Sequence, residues 1–176
     1  MTRVERYGPG EEVAELAPGD VLLIRGSAWP SAIIRWAERR RPREDRPYGH
    51  WSHCALVAGR SGLLIEVTAA GVVVRHVSGH RHEEYHYVRV DRPLEDRLRA
   101  VLYAKGFVGR RYTVLSFLRI GWNLVIRRPR LRVRDRGQQV CASLVARALE
   151  RAGERFALPP HELMATDLAK HFGVTP

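Results

Sequence analysis

A cysteine at the start of a helical segment is the first residue of this sequence that could do covalent chemistry. The apolar spacing of "VCASLVARALERAG" predicts a helix that begins at Cys141 and stops at Gly153. Free backbone N–H groups and the positive end of the helix dipole stabilise a thiolate at such a position. The same N–H groups can bind the oxyanion of an acyl transfer. Cys141 is therefore a candidate nucleophile, and the alternative is a small core residue.

A cysteine nucleophile needs a base, and the base needs an acceptor that orients it. His53 begins the apolar run "HCALVAG", and Glu66 interrupts the next run, "LLIEVT". A carboxylate inside an apolar strand is costly unless it is paired or lies at an edge. If the two runs form a hairpin around "GRSG" with 59 opposite 63, His53 lies opposite 69. Contact between His53 and Glu66 then requires a bulge or a shifted register.

The second cysteine, Cys54, directly follows the candidate base. Adjacent residues of a strand point to opposite faces, so Cys54 is not expected to pair with His53. We expect it to be buried. His50, in the preceding loop, is a candidate substrate-side residue, with an ordinary loop histidine as the alternative.

A histidine-rich segment, "HVSGHRHEEYH" at 76–86, is the candidate for metal binding. Zinc could use three of its histidines and glutamates. No HExxH or other fixed ligand spacing is present, and a histidine-rich loop between strands is usually solvated. The sequence therefore predicts neither a metal site nor a cofactor.

The elements that must position these residues are strands followed by helices. Short β-rich runs linked by glycine turns predict an antiparallel meander, and they cover 20–25, 53–59, 63–68, 72–77 and 85–91. A short helix at 27–40 and a polar loop at 41–49 separate the first two runs. Helical patterns follow at 93–107, 112–125, 141–153 and 159–173. The fold class is α+β.

Length and composition fit one domain with a sizeable core. The chain has 176 residues, and we assign 1–17 to a charged leader and 18–176 to a single domain. Two cysteines without a CxxC pattern do not form a disulfide framework. The N-terminus lacks the apolar region of a secretory signal, so the default localisation is cytoplasmic. Export by lysis or a dedicated system, and peripheral membrane contact, are the alternatives. The longest apolar stretch, 112–126, carries Arg119 and is too short to span a bilayer, so no integral membrane segment is expected.

The basic charge of the chain is almost entirely arginine. Lys+Arg 30 against Asp+Glu 19 gives a net charge of +11. A basic insertion at about 127–137 repeats arginine with a period of two, at Arg128, Arg130, Arg132, Arg134 and Arg136. In an extended conformation these guanidinium groups share one face and could hold phosphates of lipid or nucleic acid, or acidic wall polymers. A solvated insertion is the other interpretation.

Several of these motifs, in this order, resemble a known family. The series "GDVLLIR", "HWSHCALVAG", "GLLIEVTAAGVVV", "GRRY", "VCASLVARALERAG" and "LPPHEL" is similar to the circularly permuted branch of the NlpC-type, papain-like cysteine peptidase superfamily. That branch includes the YiiX-like and the lecithin:retinol-acyltransferase-like proteins. The resemblance covers roughly residues 18–165. The family often has Cys-Ser-Glu where this chain has Cys141-Ala142-Ser143.

The resemblance implies a fold, a mechanism and a set of site residues. The fold would be papain-like, an antiparallel half-barrel packed against helices, permuted so that the histidine strand precedes the cysteine helix. Cys141 would be the nucleophile, His53 the general base and Glu66 the residue that orients it. Tyr112 would line the oxyanion site, and Ser143 and His50 are further oxyanion or substrate candidates.

The resulting prediction is a cysteine hydrolase that cleaves an amide or ester through an acyl-enzyme, with acyl transfer to another acceptor as a variant. The resemblance suggests peptides, cell-wall fragments or acyl lipids as substrates. The alternative is an inactive binding module that uses the arginine row to engage anionic lipid, nucleic acid or an assembly partner.

Overall fold

A six-stranded antiparallel sheet is the centre of the molecule. The computed structural model describes residues 3–26, 43–111 and 141–176. Its strands are β1 (Arg3–Tyr7), β2 (Val21–Arg25), β3 (His53–Val57), β4 (Leu63–Thr68), β5 (Gly71–His76) and β6 (Glu84–Arg89). The predicted runs therefore coincide with strands, and the predicted α+β class is confirmed. Residues 1–17, described from the sequence only as a charged leader, contain β1.

The strands lie in the order β1-β6-β2-β3-β4-β5. The predicted meander is confirmed from β2 to β5, where each strand pairs with the next in the chain. It is wrong for β6, which crosses back to pair with β2 and β1 instead of extending beyond β5. In this place, between β1 and β2, Tyr85 and Tyr87 of β6 are buried.

Three α-helices lie in the described ranges: α1 (Leu94–Lys105), α2 (Cys141–Arg151) and α3 (Ala165–Phe172). The helix predicted from Cys141 is present, and its described part runs from that residue to Arg151. α2 packs across β3 and β4 and against α1. The segment predicted as a polar loop at 41–49 is instead largely a 3-10 helix, Arg43–His50, against which α3 packs. A second 3-10 helix, Val77–His80, connects β5 to β6.

Both faces of β2, β3 and β4 are largely buried, so these strands are apolar at nearly every position. The helix side holds one hydrophobic core, which includes Val21, Leu23, Cys54, Leu56, Ile65, Leu144 and Leu149. The opposite side holds a second core, which includes Leu16, Leu22, Ile24, Ala55, Val57, Leu64, Tyr85 and Tyr87. Burial on both sides fixes the register, because a slip of one residue would exchange the two faces.

A buried aspartate joins the sheet to α1. Asp20 accepts hydrogen bonds from the Val90 N–H at 2.9 Å and from Arg97 Nη1 at 2.8 Å through Oδ1. Its Oδ2 accepts the Tyr87 hydroxyl. The helix approaches closely here, because a Cβ on Gly19, whose φ is +83°, would lie 2.5 Å from the Arg97 Cβ. One carboxylate therefore holds β2, β6 and α1 together.

The start of β5 carries a second close approach. The Val72 N–H donates to the Arg110 carbonyl at 3.0 Å, and the Gly109 N–H donates to the Val72 carbonyl at 2.9 Å. A Cβ on Gly71, whose φ is +118°, would lie 2.2 Å from the Arg110 carbonyl oxygen. The backbone that follows α1 thus docks beside β5, and glycine is required at 71.

Some predicted features lie outside the described residues. They are the helix at 27–40, the apolar stretch at 112–126, Tyr112, and the basic insertion at 127–137 with its arginines. Within the described ranges, no helix has the length and apolar character needed to cross a membrane.

Candidate active site

His53 and Glu66 form a short hydrogen bond between neighbouring strands. His53 Nε2 donates to Glu66 Oε2 at 2.7 Å. The His53 side chain is 18% exposed, whereas the Glu66 side chain is 1% exposed. The carboxylate can therefore act on the imidazole without competing water, and the imidazole remains reachable from outside.

The register of β3 and β4 decides this contact. Leu56 lies opposite Ile65 and Val57 opposite Leu64, one residue away from the predicted pairing of 59 with 63. The predicted register is therefore wrong. The strands instead have the shifted register that contact between His53 and Glu66 was expected to require. Under the predicted pairing Glu66 would share a face with Cys54. The observed pairing places Glu66 on the same face as His53, because a shift of one residue moves every side chain of a strand to the other face.

Cys141 is the first described residue of α2 and is partly exposed. Its sulfur is hydrogen-bonded to the Cys54 thiol, the His53 ring and the Cys54 backbone N–H. The Cys54 hydrogen bond lowers the pKa of Cys141 well below its usual range. Burial opposes this shift, and the charge and hydrogen bond of His53 add to it. The structure therefore favours Cys141 as a thiolate.

The His53 ring responds to the same contacts. Burial lowers the pKa of His53, but the Cys141 charge, its hydrogen bond and the bond to Glu66 outweigh burial and raise this pKa well above its usual range. Because Nε2 is bound to Glu66, Nδ1 is the ring atom left to exchange a proton with Cys141. A thiolate beside an imidazolium is the activated form of a cysteine nucleophile.

Cys54 belongs to this group, which sequence reasoning did not foresee. The expectation that it is buried and faces away from His53 is correct, because it lies in the helix-side core. That face, however, is the one that carries α2 and therefore Cys141. Burial raises the pKa of Cys54, and so do its hydrogen bond to Cys141 and the nearby charges. It therefore stays a thiol and donates its S–H to the Cys141 sulfur.

Replacing Cys54 by alanine is expected to slow alkylation of Cys141 by iodoacetamide about fivefold at pH 6, since a hydrogen bond contributes about 1 kcal/mol. The reason is that loss of the donor raises the pKa of Cys141. The rates of variant and wild type should converge near pH 9, where the thiol ionises unaided. Cys54→Ser, which keeps an O–H donor, is the control and should stay closer to the wild type. Identical profiles for Cys54→Ala and the wild type would contradict the contact.

Around Glu66 lie further charged groups. His80 Nε2 is 3.2 Å from Glu66 Oε2, and Arg75 Nε is 3.3 Å from Oε1. The Arg75 contact lacks hydrogen-bond geometry, so Oε1 has no hydrogen-bond partner among the described residues. Burial acts to raise the pKa of Glu66, but hydrogen bonds from His53 and His80 prevail and hold it well below its usual range. Glu66 is thus an ionised carboxylate.

The histidine-rich segment is less solvated than predicted. His80 and His86 are buried, so the expectation of a solvated loop is wrong for both. His80 is bound to two carboxylates, and His86 packs on Trp51 with ring centroids 4.4 Å apart. In the portion of the chain that the structure describes, no group of three histidine, cysteine or acidic side chains could hold a metal ion.

The remaining predicted site residues are less directly connected. Ser143 lies buried in the first turn of α2, and its hydroxyl has no hydrogen-bond partner within the described ranges. His50 Nε2 binds Glu84 Oε2 at 2.9 Å, and the His50 ring packs edge-on against Trp51. Tyr112 lies outside the described residues. Oxyanion or substrate roles for these three stay predictions.

The chain matches no protein-family model, and no curated protein is significantly similar to it in sequence.

Proposed function

We propose that this chain is a cysteine hydrolase that cleaves an amide or ester bond through Cys141, His53 and Glu66. The observation that carries the proposal is the position of the His53 ring, which contacts Cys141 and is hydrogen-bonded at 2.7 Å to the buried Glu66 carboxylate. Structural cysteines buried in apolar surroundings have raised pKa values and are inert, as Cys54 is here. A lowered pKa at a partly exposed cysteine is typical of a nucleophile.

The proposed reaction begins with attack of the Cys141 thiolate on the substrate carbonyl carbon. The Cys141 backbone N–H, at the helix start that the sequence predicts, would stabilise the resulting oxyanion, and the family resemblance adds Tyr112. The His53 imidazolium would give its proton to the departing amine or alkoxide as the C–N or C–O bond breaks. Neutral His53 would then take a proton from water, which attacks the thioester and releases the acid and the Cys141 thiolate.

Glu66 would keep His53 in the orientation that this sequence of proton transfers needs. Its hydrogen bond to Nε2 directs Nδ1 to the sulfur, and its charge stabilises the imidazolium. We further propose that the fold is papain-like, a half-barrel in permuted order, since the strand that begins with His53 precedes the helix that begins with Cys141. Peptides, cell-wall fragments and acyl lipids are the substrate classes to test.

Iodoacetamide is expected to alkylate Cys141 at least about tenfold faster than Cys54 at pH 6.5, since one pKa unit changes the thiolate fraction by a factor of about ten. Because the pKa of Cys141 is lowered, its reactivity should persist below the ordinary thiol range and fall only at acidic pH. Mass mapping of the two cysteine peptides over time gives the rates.

The matched variant is His53→Ala, which should slow labelling of Cys141 at pH 6.5 and move its profile toward that of an ordinary thiol. His82→Ala is the control, because His82 is an exposed histidine whose described contact is with Arg81. Equal, slow labelling of both cysteines would overturn the proposal and leave the binding module as the remaining prediction. A screen of peptidoglycan fragments against acyl lipids would then identify the bond that is cleaved.

A further inference from the structure

Glu66 is bound by two imidazoles, and the proposed mechanism uses only one of them. His53 and His80 both lie on Oε2, at 2.7 Å and 3.2 Å, and their ring centroids are 6.1 Å apart. They come from different elements, since His53 begins β3 and His80 ends the 3-10 helix Val77–His80. The fold thus brings a second histidine to the carboxylate of the site.

The surroundings of His80 fix its protonation state. Its Nδ1 lies 2.7 Å from Glu83 Oε2, and its Nε2 lies 3.2 Å from Glu66 Oε2. A carboxylate only accepts, so both ring nitrogens must donate, which an imidazole does only as the cation. The side chain is 5% exposed, so water does not replace either acceptor. His80 is therefore an imidazolium between two carboxylates.

The charges around this group nearly balance. The Glu66 and Glu83 carboxylates are negative, and His80 is positive between them. On the other side of Glu66, His53 is positive and is paired with the Cys141 thiolate, while Arg75 lies 3.3 Å from the second Glu66 oxygen. An isolated carboxylate as buried as Glu66 would be costly and would tend to take up a proton. His80 supplies a compensating charge from within the protein.

We propose that His80 is a positioning residue, which holds Glu66 ionised and correctly oriented so that Glu66 can in turn hold His53 against Cys141. The proposal rests on the function proposed above for these three residues. His80 acts through Glu66 and is not assigned a proton transfer. If Glu66 were bound only by His53, the two side chains could rotate together. Because His80 also binds Glu66, the Glu66 carboxylate stays in place and fixes the orientation of the His53 imidazole.

The pH dependence follows from the same contacts. Burial lowers the pKa of His80, but the hydrogen bonds to Glu66 and Glu83 prevail and raise it. The stabilisation from this cation is fully present below the ordinary histidine pKa of about 6.5 and is lost as the pH rises through the raised value in the folded protein. The anchored state of Glu66 therefore extends to a higher pH than an ordinary histidine would allow.

The first test is the pH profile of Cys141 alkylation in His80→Leu, His80→Gln and the control His82→Gln. His80→Leu removes the cation and the donor, so the midpoint of the profile should rise by about one pH unit, with about tenfold slower labelling on its acidic side. His80→Gln keeps an N–H donor and should recover part of that shift. His82→Gln, two residues away on the exposed side, should match the wild type. A merely structural defect would lower the rate equally at every pH.

The second test uses the unaltered protein, so it holds even if His80→Leu does not fold. In ¹⁵N-histidine NMR, with the signal assigned by His80→Gln, both ring nitrogens of His80 should stay protonated above the ordinary histidine pKa of about 6.5. Glu83→Gln should lower the pH at which they lose a proton. Titration of His80 at or below about pH 6.5 in the wild type would overturn the proposal, as would a wild-type alkylation midpoint in a folded His80→Leu.

These tests separate the two proposals. Neither measurement needs a substrate, so a failure to find any hydrolysed bond would count against the proposed function alone. Conversely, active enzyme with an unshifted His80→Leu profile would overturn the role of His80 and leave the reaction through Cys141, His53 and Glu66 standing.

Discussion

Replacement of Cys141 by serine is expected to lower the rate of hydrolysis at least about a thousandfold, in line with the loss caused by removing a nucleophile from a comparable hydrolase. The reason is the ionisation of the side chain. The contacts of Cys141 lower its pKa enough to form a thiolate beside His53, whereas a serine hydroxyl stays protonated there. The measurement is the turnover of the substrate found in the screen, compared at matched concentrations of folded protein.

The same substitution should change the titration of His53 in a defined direction. Burial lowers the pKa of His53, and the Cys141 charge is the largest contribution that raises it. In Cys141→Ser that charge is gone, and the hydrogen bond to Glu66 remains. The pKa of His53 should therefore fall, which NMR can follow without any substrate. An unchanged His53 titration would contradict the ion pair.

Cys54→Ser is the matched control, because it makes the same chemical change at the other cysteine. It keeps a donor to the Cys141 sulfur and should cost only a few-fold in rate. Equal losses in the two variants would show that the chemistry does not depend on Cys141 specifically. Retained turnover in Cys141→Ser would overturn the assignment of the nucleophile.

Replacement of Asp20 by alanine is expected to lower the free energy of unfolding by about 3–5 kcal/mol, the usual cost of removing one partner of a buried ion pair. The Asp20 side chain is 1% exposed and that of Arg97 is 17% exposed. Without the carboxylate, the guanidinium and the Val90 N–H both lose their acceptor, so the contact that joins β2, β6 and α1 is broken. Urea unfolding at pH 7 should show a lower midpoint with an unchanged slope.

Arg99→Ala is the control on the same helix. Arg99 pairs with Glu95 and Asp96, but its side chain is 59% exposed, and exposed pairs contribute about 1 kcal/mol or less. Asp20 lies beside Val57, at the opposite end of β3 from His53, so alkylation of Cys141 in the folded fraction of Asp20→Ala should keep its wild-type pH profile. A change in unfolding free energy below about 1 kcal/mol would contradict the structural role assigned to Asp20.

The strands and helices that carry the site could be predicted because local patterns specify them. Short β-rich runs and glycine turns located β3 and β4, and helical spacing located α2, with Cys141 in it. The position of β6 could not be found this way. Each strand has two edges, and the choice between them depends on which tyrosines can be buried, a property of the whole sheet rather than of the run 85–91.

The hairpin register shows why local patterns stop short of the site. Moving the predicted pairing by one residue decides whether Glu66 faces His53 or Cys54. The turn residues "GRSG" permit more than one loop length, whereas the two cores select one. With Val57 in the opposite core and Leu56 in the helix-side core, only the observed pairing keeps Leu64 and Ile65 on matching faces.

Two members of the site were missed for related reasons. Strand alternation indicated correctly that Cys54 and His53 lie on opposite faces. It did not indicate that α2 packs on the Cys54 face and brings Cys141 next to Cys54. His80 lay in a histidine-rich segment whose composition suggested solvent. A usable signal was present, because a buried carboxylate such as Glu66 needs more compensation than one histidine supplies, and the histidine-rich segment 76–86, which contains His80, follows soon after Glu66 in the chain.

The docking of the Gly109–Arg110 backbone beside Val72 also bears on self-association. Within the described ranges β1 and β5 are the edges of the sheet, and an unpaired edge is a template for another copy of the chain. At the start of β5 the backbone of Val72 is already hydrogen-bonded to Gly109 and Arg110. Farther along β5 the exposed side chains include those of Arg75 and His76. At the other edge, β1 carries Arg3, Glu5 and Arg6. These features disfavour growth of the sheet by strand addition, and with it aggregation of the native protein.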